Sequence, residues 1–183
     1  MKKITELKEV RLGTVYTTDE YGNRERDAEE YIFSRPVKSV NTDKRILHYL
    51  IDTVLIQVLI YGVDELLKSQ RMNVTFESDL GASLFNLSTS LLFFIFYYAI
   101  FESIWQATPG KFITRCVVID EYGNPPDYMT ILLRSLSRVV PFEPFSCMGD
   151  KYSYGWHDKW SNTWVVTKTE LNELKKLQAE EDD

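Results

Sequence analysis

Arg45, His48 and Asp52 stand at offsets of three, four and seven inside a run of otherwise mostly apolar residues. On a helix these offsets share one face. At about 1.5 Å of rise per residue they form a polar stripe about 10 Å long. Arg45 then lies too far along the axis to pair directly with Asp52. A carboxylate in the middle of an apolar helix has two uses. It can hold a proton or a cation, or it can anchor the helix by bonding to protein donors. A lipid-facing charge at mid-span costs about 2.5–3.5 kcal/mol on the insertion scale, so Asp52 is expected to face protein. The basic candidates to meet it are Arg45, His48, Arg134 and Arg138. Glu102, near the end of a second apolar run, is a second buried-acid candidate.

His157-Asp158 has the residue types of an acid–base pair. General-base chemistry needs a nucleophile and an oxyanion site within reach. No Gly-x-Ser-x-Gly, metal-ligand cluster or nucleotide loop accompanies the pair. The chain is therefore expected not to be an enzyme and to need no cofactor. Asp158 is expected to pair with an arginine of the segment 129–140 and to cap a small sheet. Thr108-Pro109-Gly110-Lys111 reads as a tight turn, because it lacks the spacing of a phosphate loop.

These side chains must be positioned by two long apolar segments, spanning about 46–67 and 80–105. A bilayer core of about 30 Å needs about 20 mostly apolar residues as a helix. The second segment carries no charge from Leu84 to Phe101. Its aromatic run, Phe93 to Tyr98, suits lipid contact or helix packing equally, and Trp105 suits an interfacial anchor. From Met129 to Val140 the apolar residues fall on one helical face, with Arg134 and Arg138 on another, before Pro141 breaks the pattern. That length is too short to cross. It fits an amphipathic helix at the membrane surface, or one packed on protein at the cytoplasmic side.

Phe112 to Asp120 is rich in β-branched residues and runs into a Gly-Asn-Pro-Pro turn. Thr163 to Thr167 is a second short strand, and Val10 to Thr17 a candidate third. Asp19-Glu20-Tyr21-Gly22-Asn23 recurs at Asp120 to Asn124, which turn chemistry explains. Trp156, Trp160 and Trp164, spaced by four, are interfacial anchors or sheet packing. The fold expected is membrane α-helical: two transmembrane helices, an amphipathic interfacial helix and a small cytoplasmic β-hairpin or sheet. The expected organisation is an N-terminal cytoplasmic extension over 1–43, a membrane domain over 44–168 and a charged, fraying helical tail over 169–183.

Charge sets the expected orientation. Residues 1–45 hold ten Lys and Arg, whereas the loop 64–83 has only Lys68 and Arg71. The positive-inside rule then puts both termini in the cytoplasm and the loop outside. The loop's Asn73-Val74-Thr75 is a formal glycosylation sequon that chance explains. No cleavable signal is visible in the opening Met1-Lys2-Lys3-Ile4-Thr5-Glu6. The expected location is therefore an integral protein of a bacterial inner (plasma) membrane. The whole chain has 183 residues and a net charge of -6, which leaves no basic footprint for nucleic acid. Two cysteines, Cys116 and Cys147, read as reduced thiols packed like small hydrophobes. The partners expected are the lipid bilayer and either further copies of the chain or another membrane protein.

The order of these features resembles the RDD family of small membrane proteins, named for one arginine and two aspartates. Arg45 at the entrance of the first span, Asp52 inside it, Thr108-Pro109-Gly110-Lys111 after the second, Leu133 to Arg138, and Trp156-His157-Asp158-Lys159 before the last strand carry the likeness over about 44–167. The resemblance implies that Arg45 is the family arginine, with Asp52 and Asp158 its two aspartates. It implies transport of an ion or small solute, with cation/proton exchange among the activities suggested for members. One departure is local. Where many members have a third hydrophobic segment, this chain has Pro141-Phe142-Glu143-Pro144-Phe145.

Overall fold

A computed structural model describes residues 2–18, 24–69, 78–148 and 153–182. The sequon, most of the loop between the spans and the first copy of the repeated pentapeptide lie outside the described residues. The elements run β1 (Lys8–Thr18), β2 (Arg24–Ser34), α1 (Thr42–Ser69), α2 (Asp79–Trp105), α3 (Pro109–Ile113), β3 (Cys116–Ile119), α4 (Tyr128–Ser137), a 3-10 turn (Glu143–Phe145), α5 (Trp156–Ser161), β4 (Trp164–Thr167) and α6 (Lys168–Asp182).

Helices α1 and α2 have 28 and 27 residues and are apolar enough to cross a membrane. At about 1.5 Å per residue each is about 40 Å long, more than the bilayer core requires. Ser78 caps α2 by accepting from the Gly81 N–H at 3.1 Å. Gln106, in the left-handed region, ends it. Along their length Leu50, Val54, Val58, Leu84, Leu92, Phe96 and Ile100 remain exposed. So much apolar surface on long helices is what a lipid environment covers. Between them the packed patch is small: Ile56 with Tyr97 and Tyr98.

The expected strand at 112–120 begins four residues later, at Cys116, because Pro109 starts a helix that takes in Phe112. Thr108 precedes this helix with extended backbone and Pro109 occupies its first turn, where a missing N–H does no harm. β3 pairs antiparallel with β4 in the register Val117↔Val166 and Val118↔Val165. Its two faces are both covered. Val117 and Ile119 pack with Ile4, Leu7, Val37, Val166 and Leu174, and Cys116 and Val118 with Val40 and Val165. The N-terminal segment and the C-terminal helix therefore complete the core of the sheet, and α6 is a docked helix where a fraying tail was expected.

Val10–Thr17 does form a strand, extended to Lys8–Thr18, but it does not join the β3–β4 sheet. It pairs with β2, which the sequence did not suggest, in a separate two-stranded sheet. Val10, Leu12, Tyr16, Ile32 and Phe33 on this hairpin are exposed. In α4 the apolar residues Met129, Leu132, Leu133 and Leu136 are also exposed, while Ile131, Arg134 and Ser135 are buried. The helix thus turns its arginine inward and its apolar stripe outward.

Candidate functional site: a buried ion network beside a cavity

Asp52 is 1% exposed and faces protein. Its Oδ1 accepts from the Tyr97 hydroxyl at 2.9 Å and the Gly110 N–H at 2.9 Å. Its Oδ2 accepts from the Thr108 hydroxyl at 2.6 Å. Three elements thus meet at one carboxylate: α1 carries it, α2 supplies Tyr97, and the start of α3 supplies Thr108 and Gly110. The contact requires a glycine. A Cβ at Gly110 would lie 2.7 Å from the His48 carbonyl oxygen and 3.1 Å from Asp52 Oδ1. Among the described residues no Arg, Lys or His pairs with Asp52. None of the basic candidates reaches it.

Arg45 turns the other way. Its Nη1 donates to Asp158 Oδ2 at 2.5 Å, its Nη2 to Ser39 Oγ at 2.8 Å and its Nε to the Val40 carbonyl at 3.3 Å. Arg134 reaches the other Asp158 oxygen and the Thr163 hydroxyl through Nη1. Its Nε donates to Glu102 Oε2 at 3.0 Å. Glu102 Oε1 accepts from Lys111 Nζ at 2.5 Å and from Arg138 Nη2 at 2.9 Å. Arg138 also lies over the Tyr98 ring, 4.1 Å from its centroid, a cation–π contact. Asp158 further accepts from the Gly155 N–H at 3.3 Å, at the start of α5. Arg134, Glu102 and Asp158 are all buried. Buried ion pairs of this kind add little net stability, but losing one partner leaves a desolvated charge and is costly. The network therefore fixes geometry: it ties α1, α2, α3, α4 and α5 to one another.

Burial alone would push the Asp158 carboxyl upward; Arg134 and Arg45 override it and hold it well below the usual carboxylate range. His157 stands between two acids. Its Nδ1 contacts Glu143 Oε1, and its Nε2 lies 3.3 Å from Asp158 Oδ1. Burial, together with Arg138 and Arg134, outweighs these carboxylates and lowers the imidazole to about 4. Burial likewise lowers Lys111 to about 8 even though Glu102 opposes it. His48 Nε2 contacts the Thr114 hydroxyl.

These groups border a cavity of about 320 Å³. Asp52, His48, Lys111, Arg138, Glu143 and His157 contribute to its polar wall, and Ile46, Leu50, Phe145 and Met148 to its apolar wall. Leu50, Phe145 and Met148 are exposed, so the apolar side is its mouth.

All eight residues singled out from the sequence fall in this region. Arg45, His48 and Asp52 do share a buried face of α1, yet each turns to a different partner. Asp158 pairs with an arginine of α4, as expected, and Glu102 is buried with three cations. Tyr97, Thr108, Gly110, Lys111 and Glu143 were missed. Signals existed for some. A tyrosine inside an apolar span needs a partner for its hydroxyl, and Thr-Pro is a helix start. Trp156 and Trp160 stack on the surface with centroids 6.0 Å apart, whereas Trp164 packs against the sheet core.

Neither a curated protein nor a solved structure matches the chain. The sequence model of the RDD family matches residues 40–164, a stretch that starts at Val40, takes in both spans and the whole ion network, and ends at the first residue of β4. The chain belongs to the RDD family of membrane proteins.

Proposed function

We propose that this protein exchanges a cation for protons, or moves a comparable small solute, across the membrane, with Asp52 as the residue that binds and releases the charge. The observation that carries this reading is the setting of Asp52. Two other buried acids of the network have cationic partners, Glu102 three and Asp158 two, whereas Glu143 meets His157, whose imidazole burial keeps neutral. Asp52 has only neutral donors, Tyr97, Thr108 and Gly110, and it borders the cavity. An intramembrane acid without a protein counter-charge suits a proton or a cation as its counter-ion. Two helices do not enclose a water path, so the transporting unit is an oligomer or a complex with another membrane protein. It sits in a plasma membrane with both termini cytoplasmic, in line with the Lys/Arg asymmetry. α4 lies along the headgroup plane, which suits its outward Met129, Leu132 and Leu136. No bond-making chemistry is assigned to His157-Asp158, since Asp158 is engaged by two arginines and the Gly155 N–H.

A second reading is an accessory protein that docks a partner. The observation that favours it is the β1–β2 hairpin, whose Val10, Leu12 and Ile32 are exposed and not covered among the described residues. Two measurements separate the readings. Cation flux in proteoliposomes with Asp52→Asn as control tests the first. A strict monomer in detergent, without flux, would leave only the second.

A further inference from the structure

We propose that the turn following α4, residues 139–148, is embedded in the bilayer leaflet in which α1 begins and α2 ends, with Phe142, Phe145 and Met148 among the acyl chains. The cavity beside Asp52 then opens sideways onto lipid and not onto water. This goes beyond the transport reading and stands whether or not the protein transports.

The side chains of the turn are sorted as lipid would sort them. Phe142, Phe145 and Met148 are 76, 64 and 59% exposed, and the other exposed residue between 139 and 148 is Pro141. The single charged residue, Glu143, is buried and contacts His157. The Ser146 hydroxyl is engaged too, accepting from the Trp156 N–H at 2.9 Å. A contiguous apolar exterior around an inward acid marks an interaction surface. The backbone is sorted in the same way. Pro141 and Pro144 have no N–H to satisfy. The N–H groups of Val139, Val140, Glu143, Phe145, Ser146 and Met148 each bond the carbonyl three residues back, at 2.8 to 3.3 Å. Irregular backbone at membrane depth is tolerated where its polar groups are satisfied internally and it lines a cavity. This turn does both.

The depth follows from its neighbours on the spans. The uncharged stretch of α2 ends at Phe101. Tyr98 lies three residues, about 5 Å, further in, and Arg138, at the end of α4, sits over its ring at 4.1 Å. Pro144, Phe145 and Met148 line the cavity together with Tyr98 of α2 and with Tyr49 and Leu50 of α1. The turn is therefore beside the spans and not beyond their ends. Its exposed side chains continue the apolar surface that Leu50 and Val54 present on α1, so the acyl chains that cover one cover the other. Where the chain returns in α5, Trp156 and Trp160 are stacked and exposed, the residue type of the headgroup level.

The test is nitroxide labelling of the full chain in liposomes, using the single variants Phe142→Cys, Phe145→Cys and Met148→Cys. Val54→Cys on α1 is the lipid reference and Asn172→Cys, exposed on α6, the water reference. The unsubstituted chain, whose Cys116 and Cys147 are buried, gives the background. Oxygen concentrates among acyl chains and a nickel chelate stays in water. Labels at the three turn positions should follow Val54, with strong broadening by oxygen and loss of the nickel broadening seen at Asn172. Nickel broadening equal to that at Asn172 would put the turn in water and overturn the proposal. Shielding from both reagents would mean that protein covers the turn, and would overturn it equally. All three positions are exposed and leave the ion network whole, and any one of them decides if another fails to insert. Leu50→Cys, across the mouth, should behave as Val54 does; nickel broadening there would show a mouth open to water and refute the sideways opening.

Discussion

Arg45 and Asp158, 113 positions apart, meet at 2.5 Å, so the arginine at the entrance of the first span pairs with Asp158 and not with Asp52 on its own helix. The seven residues between Arg45 and Asp52 explain why. Two helical turns separate them by about 10 Å, and the arginine finds its counter-charge where α5 comes up beneath the span. The two aspartates thus have different roles. Asp158 is held by Arg45 and Arg134, whereas Asp52 is held by neutral groups.

Removing the charge at Asp158 should loosen the packing of α1, α4 and α5. Asp158→Asn leaves Arg45 and Arg134 buried with fewer counter-charges, a loss of about 3–5 kcal/mol for a broken buried pair. Thermal unfolding in detergent should show a large fall in the midpoint or loss of monodisperse protein. A midpoint equal to wild type would mean that the pairs contribute nothing to holding α1, α4 and α5.

Gly110→Ala tests the close approach of α3 to α1. The added carbon would lie 2.7 Å from the His48 carbonyl oxygen, so the helix start must shift and the N–H bond to Asp52 lengthen. Overpacking of this kind costs about 1–3 kcal/mol. Gly62→Ala is the control, since a carbon there meets nothing within 4 Å. Unfolding midpoints should fall for the first and hold or rise slightly for the second. Equal midpoints would contradict the packing described.

The two spans and their polar insertions were legible because an apolar run of bilayer length, broken only along one face by Arg45, His48 and Asp52, is the pattern of a membrane helix with a buried polar side. The pairing was not legible. Nothing in the local sequence of Lys111 or Arg134 reveals that both end on Glu102, because that contact depends on how α3 and α4 fold back under α2. Strand β2 was missed for a different reason. Arg24–Ser34 is charged through most of its length and lacks an apolar alternation, so its strand character comes from its register with β1. The tail misled because its charges hide Leu171, Leu174 and Leu177, each three apart, which pack on the sheet core.

Acid should destabilise the fold through His157. Its imidazole is lowered from 6.5 to about 4, so between these values the unfolded chain binds a proton that the folded chain does not. Stability is therefore present in full above about pH 6.5 and falls as pH drops towards 4. Unfolding midpoints measured from pH 7.5 to 4.5 should decline, and His157→Gln should flatten the decline. A profile unchanged by that substitution would show that His157 does not titrate across folding.

The proposed membrane orientation predicts that a cysteine at Ser78 reacts with an impermeant thiol reagent added outside intact cells. Cys116 and Cys147 are buried and give a low background. Labelling only after the cytoplasmic side is opened would invert the topology.

The most direct measurement is cation-driven proton flux in proteoliposomes containing wild type or Asp52→Asn. Asparagine keeps the size of the side chain and the acceptor for Tyr97 and Gly110, and the Thr108 hydroxyl can turn to accept from its amide. The variant should therefore insert and fold like wild type. Wild type should exchange protons for a cation imposed on one side, and Asp52→Asn, equally folded, should not. Flux that is unchanged in Asp52→Asn, or absent from wild type reconstituted in its native oligomeric state, would contradict a transport role for this carboxylate.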